Sequence, residues 1–297
     1  MTPAAPSMSR IDIVVPCYNY GRFLRRCVES VAEQAHREWR VLIIDDASTD
    51  DTSAVAAELA GRDQRVSFRR HAANHGHIST YNEGIDWAQG EYMLLLDADD
   101  FLLPGALDRA IAVLDFDSAI GLAWGPAIDY RAGDPLPDAA ARAGKIAAEV
   151  LDATAFICTL AASNCVPQSA AVVRTSVQKR LGGYLRELPH TGDLEMWVRF
   201  ALHSKVAQIK ATQSAYRKHD SNMHLAYREP ANYEQFRKAL GLHYPEIRER
   251  LPNGAEVEGW IRDRFALWGL KLAKLAWKQS ELDMCRRLIM DAFDDLA

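Results

Sequence analysis

Several common signatures are missing from this chain, and each absence removes a class of function. There is no CxxC pair. The five cysteines, Cys17, Cys27, Cys158, Cys165 and Cys285, are scattered and odd in number. That fits free thiols in a reducing compartment and speaks against zinc. There is no basic block, and the formal net charge is −5 over 297 residues. Binding to nucleic acid rests on neutralising phosphate, so no nucleic-acid partner is expected. No apolar run is long enough to span a bilayer, and residues 1–10 lack the apolar core of a signal peptide. The expected location is the cytoplasm, with peripheral contact at the inner face of a membrane left open. No GxGxxG follows the first apolar strand and no GxxxxGK[ST] occurs, which speaks against a dinucleotide-binding Rossmann domain and a P-loop NTPase.

The rest of the composition is that of a soluble globular protein, with 48% hydrophobic and 25% charged residues. Short β-branched or apolar runs alternate with helical periodicity through the first hundred residues. Strands are predicted at Ile11–Val15 (stopped by Pro16), Val41–Ile44, Val66–Arg70 and Tyr92–Leu96. Helices are predicted from Gly21 to Gln34, from about Ser48 or Asp50 through Leu59, and over His77–Gln89, with Gly90 as its end. The fold class this implies is α/β, a doubly wound and mainly parallel sheet flanked by helices. Further on, Leu107–Leu114 reads as a helix and Ile120–Ala127 as a strand. Ala132–Lys145 reads as a long surface loop of the kind that forms lids. Residues 151–162 read as helix, Cys165–Arg174 as an edge strand, and the segment opened by HTGDLEMWVRFA as a helix. Val206–Ile209 and Ser214–Tyr216 are short predicted strands. From about Arg228 the chain is helix-rich, with a stripe of Trp260, Phe265, Leu267, Trp268, Leu270, Leu272, Leu275 and Trp277 at helical spacing. Such a stripe is first a packing surface, and self-association as a homodimer through these helices is a second expectation. The domains are read as a flexible tail at 1–10, an α/β domain at 11–225 and a helical extension at 226–297.

The most informative stretch is GEYMLLLDADD, residues 90–100. An apolar run ends in Asp97, Asp99 and Asp100, just past the carboxyl end of a buried strand, where open α/β sheets place their ligands. Three acids in four residues repel one another unless a cation sits among them. Mg²⁺ or Mn²⁺ takes carboxylate oxygens and keeps sites for phosphate. Alone, the stretch fits an acidic turn that caps the helix near Pro104 equally well. A second strand, however, ends in Asp45 and Asp46, and Pro16–Asn19 follows the first. Several strand ends converging on one edge make a site.

In their order and spacing, VVPCYN (14–19), IIDDASTDDT (43–52), NHG…YNEGI (74–85), GEYMLLLDADD (90–100), TGDLEMWVR (191–199) and YRKH (216–219) resemble glycosyltransferase family 2. The resemblance covers roughly residues 10–222. It implies a GT-A type fold and an inverting, metal-dependent transfer from a nucleoside diphosphate sugar, UDP-linked by family habit, to a carbohydrate or glycolipid acceptor, using Mn²⁺ or Mg²⁺. The resemblance puts Asp99 on the metal, with Asp97 more towards the ribose or sugar and His219 as a further ligand. Pro16, Tyr18, Asn19, Asp45, Asp46, Asn82 and Arg217 fall on donor-binding positions, Arg217 as a phosphate clamp. Asp193 matches the general base, with Glu195 as its competitor. Two departures stand out. Gly192 replaces the acid that usually precedes the base, and Tyr81 stands where many members have Arg. A non-catalytic nucleotide-sugar-binding protein remains an alternative. So, with less support, does a sugar nucleotidyltransferase, which would want a Gly-rich loop with Arg and Lys where this chain has VVPCYNYGRF.

Overall fold

The β-branched run at the start forms the middle of a sheet. The computed structural model describes residues 10–135, 146–227 and 229–296. The predicted tail up to residue 9 and residues 136–145 of the predicted lid loop lie outside the described residues. Within them, β1 (Ile11–Cys17), α1 (Gly21–Ala32), β2 (Trp39–Asp45), α2 (Thr52–Arg62), β3 (Val66–Arg70), α3 (His77–Trp87) and β4 (Tyr92–Leu95) follow in the predicted alternation. β1 lies between β2 and β4, parallel to both. It runs through Pro16 rather than stopping there. Its pairing with β4 ends at Val14 while its pairing with β2 continues to Cys17, so the missing N–H of Pro16 leaves no ladder bond unmade on the β4 side.

The chain continues through β5 (Phe101–Leu102), α4 (Ala106–Phe116), β6 (Ile120–Trp124), β7 (Ala127–Tyr130), β8 (Ala148–Leu151), α5 (Ala153–Ala162), β9 (Ala171–Arg174), α6 (Thr175–Leu181), α7 (Gly192–His203), β10 (Lys205–Ile209) and β11 (Ser214–Arg217). The main sheet has the order β3-β2-β1-β4-β9-β6-β10-β8, and β5-β11-β7 form a small second sheet. β9 and β8 run against the other strands. Three expectations change here. β9 is an interior strand paired on both sides, not an edge, because Val172 and Val173 are buried between β4 and β6. The apolar stretch predicted as one strand over 120–127 divides at Gly125, its second part joining the small sheet. The helix α4 begins at Ala106 after Gly105, so neither Asp99 nor Asp100 caps it.

The chain divides into two compact units. The first holds the described residues up to Leu151, Val166–Arg186 and Ser204–His219. Its core is the buried face of the main sheet against α1, α2 and α4, with Ile13, Val15, Leu24, Ile43, Leu94 and Leu107 all essentially inaccessible. Truncating one of these to Ala costs about 2–5 kcal/mol. α3 packs on the opposite face at Gly84, where a Cβ would stand 2.3 Å from Val14 Cγ1. Asp12, inside β1, is fully buried. Burial pushes its carboxyl up, but Arg40 at 2.9 and 2.7 Å and the amides of Gln89 and Gly90 at 2.6 and 2.7 Å outweigh that and hold it below the ordinary range. Gly90 thus stands against Asp12 in the bend before β4 rather than ending α3, whose last turn closes at Ala88.

The second unit is Asp152–Cys165, Glu187–His203 and the described residues from Asp220 onward. It gathers α5 and α7 with α8 (Ala231–Gly241), α9 (Tyr244–Arg250), α10 (Gly254–Lys278) and α11 (Leu282–Leu296). The division therefore differs from a boundary near 225, since two helices from the middle of the chain join the C-terminal ones. Leu160, Trp197, Phe200, Tyr233, Ile261 and Phe265 fill the interior. The predicted stripe separates by face. Phe265 and Leu272 are buried, while Trp260, Leu267, Leu270, Leu275 and Trp277 are exposed. Among the described residues no helix is long and apolar enough to cross a membrane.

Candidate active site

The loops after β1 and β2 are stitched together by their own polar side chains. Asn19 takes a left-handed conformation, φ 59°, a region open to Asn at little cost. Its amide donates to Ser48 Oγ at 2.9 Å, and its side-chain oxygen accepts from the Thr49 amide at 2.8 Å. Pro16 lies near the end of β1, and Tyr18, 47% exposed, stands on the turn with Asn19. Asp45 is fully buried and accepts from the Ser48 amide at 2.8 Å and from Ser53 Oγ at 2.6 Å. Asp46 accepts from the amides of His75 and Gly76 at 2.7 and 2.8 Å and meets His71 Nδ1 at 2.7 Å. The opposite nitrogen of His71 meets Glu83 at 2.7 Å. Burial works against both charges. Yet the bonds around Asp46 keep its carboxyl low, and the two carboxylates raise His71 above its ordinary 6.5. Asp46, His71 and His75 bring three ligand-type atoms within 4.8 Å of one another. The Asp46 oxygens are already taken by two amides and the imidazole, so an ion pair accounts for the cluster.

The acids after β4 form the centre of the site. Asp97 accepts from Tyr81 Oη at 3.1 Å and Ser169 Oγ at 3.4 Å, and its amide donates to Ser169 Oγ at 3.2 Å. Tyr81, which stands where the family often has Arg, therefore reaches the acid rather than adding a cation. Asp99 Oδ2 lies 3.0 Å from His219 Nε2. The His219 ring is held by stacking on Phe23, centroids 4.7 Å apart, and by the edge of Tyr20. Asp100 is buried and accepts from the Arg217 amide at 3.0 Å. Burial and the neighbouring charges of Asp99 and Asp97 push its carboxyl well above the ordinary range. A carboxylate oxygen and an imidazole nitrogen 3.0 Å apart, on and against a loop with two further acids, are ligand types that a divalent cation such as Mn²⁺ or Mg²⁺ takes.

Two residues expected at the donor are placed differently in their detail. Asn82 donates to the Tyr184 carbonyl at 2.9 Å and accepts from the Tyr184 amide at 2.7 Å, so both ends of its side chain hold backbone. Gly183 makes this possible, since a Cβ there would stand 2.4 Å from the Asn82 oxygen. The Arg217 guanidinium donates through Nε to the Asp99 carbonyl at 2.7 Å and sits among Phe23, Phe101 and Tyr130. It fixes the acidic loop from behind.

Asp193 and Glu195 lie in the first turn of α7, in the second unit. Glu195 is 1% exposed and locked between Arg199 at 2.6 Å and His243 at 2.7 Å. Asp193 is partly exposed and accepts from the Asn164 side-chain amide at 2.7 Å and the Leu194 amide at 2.8 Å. Burial raises its carboxyl above the ordinary range, with those two donors holding it back. Ser169, Asn164 and the His71–Glu83 pair escaped the sequence reading, and Ser48, read there as a helix-cap candidate, instead joins Asn19 to Asp45. Each acts by supporting a neighbour and belongs to no motif quoted above except Ser48 and Glu83, whose roles become visible only in three dimensions.

Residues 12–140 match the model for glycosyl transferase family 2. This part of the chain is similar to that family. A Campylobacter jejuni protein named GalNAc(5)-diNAcBac-PP-undecaprenol beta-1,3-glucosyltransferase is 34% identical over 101 residues, 34% of this chain and 33% of its own length. The chain spans about a third of the length of the curated relatives it matches, 33% to 38% for the first four. S. aureus TarS 1-349 in complex with UDP-GlcNAc superposes with a TM-score of 0.73 at 18% identity, covering 97% of this chain and 82% of that one. The mannosyltransferase PcManGT of Pyrobaculum calidifontis, solved with GDP-Man and Mn2+, gives a TM-score of 0.56 at 16% identity, covering 98% and 88%. The fold of the chain is thus of the GT-A type, with a helical C-terminal part.

Proposed function

We propose that the protein is an inverting, metal-dependent glycosyltransferase that moves a sugar from a UDP-linked donor to a hydroxyl of a carbohydrate or glycolipid acceptor. The observation that carries this reading is the meeting of Asp99 and His219 at 3.0 Å, two residues beyond Asp97 on the loop that follows β4. Asp99 and His219 would hold a divalent cation, with Asp97 contributing. Such an ion neutralises the diphosphate as the bond to the sugar breaks. Asp97, fixed by Tyr81 and Ser169, is assigned to the sugar and ribose hydroxyls. Tyr18 offers an exposed ring to the base, and the stitched loop of Pro16–Asn19 and Asp45–Asp46 gives it a preorganised wall. Asp193 takes the proton from the acceptor hydroxyl as that oxygen attacks the anomeric carbon. A single displacement of this kind inverts the configuration, and a carboxyl raised by burial is suited to the proton transfer. Glu195 is already spent on Arg199 and His243, which favours Asp193 over it. TarS was solved with UDP-GlcNAc and PcManGT with GDP-Man, so the nucleotide is decided by experiment.

The test is the release of nucleoside diphosphate from a panel of UDP-, GDP- and dTDP-sugars in Mn²⁺, with and without saccharide and glycolipid acceptors. Turnover of one donor in wild type, with D193N retaining donor binding and losing transfer, is the expected result. Transfer surviving in D193N and vanishing in E195Q would move the base to Glu195.

A further inference from the structure

The second half of α10 combines charge and apolar exposure in a way its packing does not use. From Arg264 to Lys278 the sequence RFALWGLKLAKLAWK has four cations and no acid, in a chain whose net charge is −5. The inward side of this stretch, Phe265, Ala266, Leu272, Ala273 and Ala276, is buried in the second unit. The outward side alternates Leu267, Leu270, Leu275 and Trp277, exposed by 61%, 41%, 53% and 65%, with Lys271, Lys274 and Lys278. Trp260 adds a second exposed indole one end of the face away, about 25 Å along the helix axis from Trp277. Among the described residues none of the three lysines is paired with a carboxylate. Arg264 is tied to the Ala161 and Ala162 carbonyls at 3.1 and 3.0 Å and holds the helix down.

We infer that this face of α10 docks on an anionic lipid surface, with the helix lying in the plane of the interface. Charge complementarity selects that occupant. Two copies related by a twofold axis would set the Lys271 and Lys274 patch against itself, since the exposed Asp263 of this face lies toward its Trp260 end. A lipid surface offers diffuse negative charge for the lysines and an apolar layer for the leucines. Indoles at both ends of the face suit the headgroup level. The helix is too polar to cross the membrane, and its alternation of basic and apolar groups is that of a segment lying on one.

The test is co-sedimentation of the full chain with phosphatidylcholine vesicles, with and without phosphatidylglycerol. Wild type is expected to bind the vesicles containing phosphatidylglycerol and to leave them in high salt. K271Q/K274Q should weaken that binding by about thirtyfold, and L267A/W277A should abolish it, with melting curves unchanged since all four side chains are exposed. The inference is overturned by failure of wild type to bind, by equal binding to neutral vesicles, or by variants that sediment as wild type does. It is also overturned by a stable dimer in light scattering that fails to bind vesicles. Vesicle binding is read without donor or acceptor, so it stands or falls separately from the transfer activity.

Discussion

Asp99 and Glu195 are both acids close to a histidine, and what surrounds them separates their roles. Asp99 meets His219 on a loop that carries two further carboxylates, Asp97 and Asp100. Glu195 is enclosed by Arg199 and His243 with its charge fully answered. E195A should therefore act on stability, costing about 3–5 kcal/mol by removing the buried carboxylate that Arg199 and His243 share. Denaturant melts check it, and a variant as stable as wild type would show that the pair does not hold the second unit. His71 carries a pH-dependent share of stability. Its pKa is raised in the folded state, so its stabilisation is complete below the ordinary 6.5 and is lost as pH climbs through the higher folded value. H71A should thus destabilise more at about pH 6 than at about pH 9, measured by melts at both. The acids of the DADD run were legible in the sequence because they sit at a strand end in a known spacing. The partners that fix them were not. Ser169 lies in a short turn without periodicity, 72 residues along the chain from Asp97.

At the scale of elements, the alternation of β1 to β4 with α1 to α3 was readable because each is a contiguous run whose apolar period matches its structure. The pattern failed where pairing is decided by distant partners. β9 reads as an edge strand by its polar flanks, yet tertiary placement between β4 and β6 makes it interior. β8 presents mostly exposed side chains and so has no apolar alternation to betray it. The start of α7 carries Asp193, the proposed base. Asn164, just after α5, donates to the charged form of Asp193 and so favours it. N164A should raise the Asp193 pKa further, and the acid limb of the kcat profile should move to higher pH. An acid limb that stays in place would show that Asp193 is not the group titrating in transfer.

At the scale of the molecule, the first unit carries most of the family motifs and the second carries Asp193 and the basic, Trp-flanked face of α10. The family match covers residues 12–140, and the proposed reading uses residues both inside and outside it. The central claim is that the acids at the end of β4, with His219, form a nucleotide-sugar site dependent on a divalent cation. Calorimetric titration of UDP into the full chain, with and without Mn²⁺, in wild type and D99N, tests it most directly. The account predicts binding that Mn²⁺ tightens at least about tenfold in wild type and leaves unchanged in D99N. Binding of equal strength with and without Mn²⁺ in wild type, or a Mn²⁺ effect that survives in D99N, would contradict it.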